Sequence, residues 1–96
     1  MRFLVRAQLP TEAGNKAVKS TKFLQTIEDF IKKANAEAAY FFEAGGDRTF
    51  AFIVNIERAD MIPGIAEPLF QDMGARVEFH PVMLLEDLKK AIASLS

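Results

Sequence analysis

The 96-residue sequence contains no cysteine and no tryptophan, and only one histidine and one tyrosine. Without cysteine, disulfides, thiolate catalysis and cysteine-based zinc sites are all excluded. No single sign of charge dominates, since 12 Lys and Arg face 13 Asp and Glu for a formal net charge of −1. Such a chain has no long-range field to gather nucleic acid or an anionic membrane. Long apolar runs are missing too: none approaches the ~18 residues of a membrane span. The start, MRFLVRAQL, carries an Arg within its apolar run and lacks the pattern of a signal peptide, so a cytoplasmic protein is expected. Neither GxxxxGK, GxGxxG nor GxSxG occurs, so no phosphate loop or nucleophile elbow is expected.

What the chain does have is apolar residues, at 50% of the total, with nine phenylalanines. That places it among globular chains, and its length allows one domain, residues 1–96. The stretch Ala38 to Ile56 organises the rest: two apolar, aromatic and β-branched runs joined by Gly45-Gly46-Asp47, the signature of a β-hairpin. Placing Glu43 opposite Arg48 puts Phe41 on one face with Phe50, Phe52, Val54 and Ile56, and Tyr40, Phe42, Thr49, Ala51 and Ile53 on the other.

Before the hairpin, Phe3, Val5, Ala7 and Leu9 alternate as a strand that Pro10 ends. Thr11 to Ser20 reads as a short helix capped by Thr11 or as an irregular loop, because Gly14 and Asn15 are poor helix-interior residues. Phe23, Leu24, Ile27, Phe30, Ile31 and Ala34 then form the stripe of an amphipathic helix ending near Asn35. After the hairpin comes a helix capped at Asp60 with Pro63 in its first turns. Its stripe is Ile62, Ile65, Ala66, Leu69, Phe70 and Met73, and it should kink or break at Pro68 and stop at Gly74. A strand over Ala75 to Met83 follows, placed at a sheet edge by Pro81. Glu86 to Leu95 makes a closing helix. Lys32-Lys33 and Lys89-Lys90 lie late in their helices, where they complement the helix dipole.

The order β-α-β-β-α-β plus a C-terminal helix predicts an α+β, ferredoxin-like fold with a four-stranded antiparallel sheet. One face, Phe3, Val5, Phe41, Phe50, Phe52, Val54, Val77 and Phe79, should lie under the helices. The other carries Leu4, Tyr40, Phe42, Ala51, Ile53 and Val82 with nothing from its own chain to cover them. Six such side chains would exceed the ~300–600 Å² largest patch of a soluble monomer. A homodimer through that sheet face is the economical expectation.

The motifs PTEAGN (Pro10 to Asn15), EAAYFFE (Glu37 to Glu43), IPGIAEPLF (Ile62 to Phe70) and VEFHPVMLLEDLKKA (Val77 to Ala91) carry a family resemblance. On these the chain resembles the dimeric α+β barrel superfamily, and closely a small uncharacterised bacterial domain family within it. More distantly it is similar to muconolactone isomerase through Pro68-Leu69-Phe70 and Met73, a local likeness that transfers no acid or base group. The resemblance implies two sheets that enclose a cavity.

Arg6, Gln8, Tyr40, Glu78 and His80 are the polar groups that would line such a cavity or its rim, with Phe42 beside them. Arg6, Gln8, Tyr40 and Phe42 are therefore candidate ligand-binding residues. Glu78 and His80, two apart on one strand, are candidate catalytic residues: Glu78 orients His80 as acid or base. The alternative is structural, with His80 held extended by Pro81 and bonded to Glu78 or to a partner strand. Two such ligands fall short of a metal site, and no cofactor is expected. Three functions follow: a homodimer binding a small, largely apolar ligand; a cofactor-free isomerase or monooxygenase; or a structural, protein-interaction module.

Overall fold

The computed structural model describes residues 1–95. Its elements run β1 (Arg2–Gln8), α1 (Thr11–Lys19), α2 (Phe23–Lys33), β2 (Ala38–Ala44), β3 (Asp47–Asn55), a 3-10 turn (Ala59–Met61), α3 (Ile62–Met73), β4 (Arg76–Pro81) and α4 (Leu85–Ser94). The four strands form one antiparallel sheet in the order β2-β3-β1-β4, which is the ferredoxin-like α+β arrangement. β3, with its continuous apolar run, is central with β1, and the proline-ended β4 is an edge as expected.

The hairpin has the anticipated register, with Glu43 opposite Arg48 and Phe41 opposite Phe50. Its two-residue turn places Gly45 at φ 58° and Gly46 at φ 84°. Positive φ at both central positions is the type I′ geometry whose twist matches the strands. The Glu43 carboxylate also accepts the Gly46 N–H at 3.0 Å.

The core lies between the sheet and the helices on one of its faces. Val5, Ala7, Phe50, Phe52 and Val54 are buried there against Ile27 and Phe30 of α2 and Leu69 and Met73 of α3. Phe52 packs on Phe30 with ring centroids 4.6 Å apart and on Phe50 at 5.2 Å. Phe41 shares this face but is 59% exposed, because it lies on edge strand β2 beyond the helices. Leu24 and Phe70, expected in helix stripes, are exposed as well.

Three local expectations are corrected. Of the two alternatives for Thr11 to Ser20 the helix forms, over Thr11–Lys19, but Thr11 does not cap it: its hydroxyl donates to Asp47 Oδ1 at 2.9 Å instead. Of the two outcomes expected at Pro68 the break is absent, since α3 is continuous from Ile62 to Met73. The carbonyl that Pro68 frees belongs to Gly64, which is exposed and can meet solvent. Finally β4 stops at Pro81, short of Met83. Gly74 does end α3, at φ 61°, and Gly74 and Ala75 donate their N–H groups back to Phe70 and Leu69.

Candidate functional site

The register fixes what shares the open face of the sheet. Directly opposed residues make three rows across it: Ala38–Ile53–Leu4–His80, Tyr40–Ala51–Arg6–Glu78 and Phe42–Thr49–Gln8–Arg76. All six candidate site residues are therefore on one face, as period-two alternation anticipated.

They do not form one cluster. Arg6, Glu78 and His80 come together: Arg6 Nη1 donates to Glu78 Oε2 at 3.2 Å, and His80 Nε2 lies 2.8 Å from Glu78 Oε1. An ionised carboxylate only accepts hydrogen bonds, so Nε2 is the donor in this pair. The bond from His80, followed by the Arg6 and His80 charges, holds the Glu78 carboxyl below its ordinary range against the desolvation that would raise it.

Gln8 sits elsewhere. Its amide donates to Asp47 Oδ2 at 3.0 Å and to the Ala44 carbonyl, so it braces the hairpin. Hydrogen bonds from Gln8 and Thr11 hold the Asp47 carboxyl below its usual value. Tyr40 and Phe42 lie on β2, three interstrand spacings or roughly 14 Å from β4. At 62% and 45% exposure they form an aromatic margin, separate from the Arg6–Glu78–His80 chain. Leu4, Ile53 and Val82 are half-buried on this face, and Ala51 at its middle is screened by larger neighbours.

Sequence reasoning missed a second place. A hollow of about 690 Å³ lies between α1, α2 and the hairpin, with Leu9, Phe23, Leu24, Ile27, Phe41 and Phe50 as its apolar lining. Arg48 stands at its rim, where Nη1 donates to Asn15 Oδ1 at 3.1 Å. The guanidinium lies across Gly14: a Cβ on that residue would come 2.9 Å from Nη1. The two poor helix formers of α1 thus seat Arg48, and their presence in a helix was the available signal.

Among the described residues, no three His, Asp or Glu side chains gather to hold a metal ion. No helix among them is long and apolar enough to cross a membrane.

No protein-family model matches the chain, and no curated protein matches it either. Among solved structures, it is similar to a formyltetrahydrofolate deformylase from Pseudomonas putida KT2440. The likeness has a TM-score of 0.54 at 11% identity, over 85% of this chain and 29% of that one. The chain thus spans under a third of that enzyme's length, and what the two share is the ferredoxin-like fold.

Proposed function

We propose that the protein is a homodimer of the dimeric α+β barrel type that pairs through its open sheet face and binds a small, largely apolar ligand between or beside its sheets. The observation that carries this reading is the open face itself. Tyr40 and Phe42 stand out from it, Leu4, Ile53 and Val82 are only half-buried, and every helix that packs on the sheet lies on the other side. A face of that composition gains by meeting its own copy. The hollow beside β2 has the size and apolar lining of small-molecule sites, which run from roughly 300 to 1,000 Å³.

Light scattering tests the assembly, and A51R tests the face. The wild type should have twice the chain mass, and A51R, with a charge at the middle of the face, the mass of one chain. A monomeric wild type would remove the reading. Thermal-shift measurements against small lactones, quinones and aromatic acids test binding; a flat response to all three classes would count against a ligand.

The hydrogen bond between Glu78 and His80 favours a second reading, a cofactor-free isomerase or monooxygenase. In it Nδ1 of a neutral His80 takes a proton from the ligand, Glu78 stabilises the imidazolium that forms, and Arg6 keeps Glu78 ionised. H80A should then abolish turnover while the ligand still raises the melting temperature. Turnover unchanged in H80A would sink it.

A further inference from the structure

Helix α4 and its C-cap carry Leu85, Leu88, Ile92 and Leu95 at spacings of three, four and three, an apolar stripe of the kind a helix buries. Among the described residues nothing covers it: every residue from 83 to 95 is exposed. A second unprotected apolar surface is the β2 margin. There Tyr40 and Phe42 protrude from one face of an edge strand and Phe41 from the other, and Phe41, Phe42 and the still more exposed Leu24 line the 690 Å³ hollow. An uncovered apolar edge strand calls for a helix or loop over it. Yet α4 follows β4 and the margin is β2, the two opposite edges of the sheet, so the helix of one chain is rooted far from its own margin.

We infer that α4 is an exchanged arm: its apolar stripe packs on the β2 margin of a second copy and roofs the hollow there, so that each ligand site is completed by the other protomer. The inference rests on the homodimer proposed above and names what closes its site. Two-fold exchange satisfies both surfaces twice without leaving an open end. The area argues the same way. Four strands of 7, 7, 9 and 6 residues present a flat footprint of roughly 450 Å². That is short of the ~800 Å² per partner typical of a stable complex, so the sheet face gains from a supplement.

Because the chain has no cysteine, single thiols report the contact directly. F42C and I92C proteins, mixed and mildly oxidised, should give a disulfide-linked mixed dimer, and neither variant should cross-link with itself. Self-linked I92C would show that α4 pairs with its own counterpart, and a dimer by light scattering with no cross-link would show that the arm lies elsewhere; either overturns the exchange and leaves the sheet-face dimer standing. A wild type monomeric by light scattering removes the dimer and the arm together. Independently, L88D/I92D should weaken the dimer by roughly 100-fold or more, as loss of central apolar anchors does. Its circular dichroism should be unchanged, since those side chains are exposed in the single chain. L88D/I92D that stays dimeric at wild-type concentrations would equally overturn the proposal.

Discussion

Phe52 has no exposed surface and lies between Phe30 and Phe50 at the middle of the core. F52A is expected to destabilise the fold by about 3–5 kcal/mol in urea denaturation, the sum of lost transfer energy and an unfilled cavity. At the open face the governing effect is electrostatic. Glu78 has its carboxyl lowered below the ordinary 4.5, first by the bond from His80. Its contribution to stability is therefore full above that value and is lost as pH falls through the depressed one. Melting temperatures followed from pH 6 to pH 3 should fall more steeply for wild type than for E78Q; parallel curves would refute the linkage. In H80A the Glu78 carboxyl should titrate closer to its ordinary value by NMR. That Glu78 and His80 would point the same way was legible from their spacing. That Arg6 would join them, and Gln8 turn away to Asp47, depended on the strand pairing.

At the level of elements, two glycines make opposite demands. Gly74 ends α3 at φ 61°, and a Cβ there would also come 3.3 Å from Ala13 Cβ. G74A should cost about 1–2 kcal/mol, the penalty of a left-handed L-residue. Gly14 lies within α1, where Ala would gain about 1 kcal/mol of helix propensity. What a Cβ meets there is the end of the flexible Arg48 side chain, which can swing away and forfeit its bond to Asn15. G14A should therefore stay within about 1 kcal/mol of wild type by chemical denaturation, the propensity gain offsetting a hydrogen bond worth roughly as much. Local signals had identified the hairpin, its register and the stop at Gly74, because turn chemistry and alternation act over a few residues. They left residues 11–20 open between helix and loop, because the reason for Gly14 and Asn15 sits in β3.

Across the whole molecule, the described chain measures 53 × 27 × 18 Å with a radius of gyration of 15.2 Å. A compact domain of this length would have about 12.5 Å. The excess fits a helix that buries none of its residues. Tyr40 is the only tyrosine and there is no tryptophan, so intrinsic fluorescence reports on the β2 margin alone. If that margin is covered on association, acrylamide should quench Tyr40 weakly in concentrated wild type and several-fold more strongly in L88D/I92D. Equal quenching in both would mean that it stays open.

By itself the sequence determined the number of strands and their order along the chain, the hairpin, and which residues share each sheet face, because alternation and turn geometry are written into neighbouring residues. It also determined that the Phe-rich face would lie inside. Only the tertiary structure decided that Arg6 meets Glu78 while Tyr40 stands roughly 14 Å from β4, since strand order sets that distance. It alone decided that Arg48 rests on Gly14 beside a hollow, and that α4 is left bare. Those outcomes depend on residues far apart in the chain being brought to one place, which no local pattern encodes.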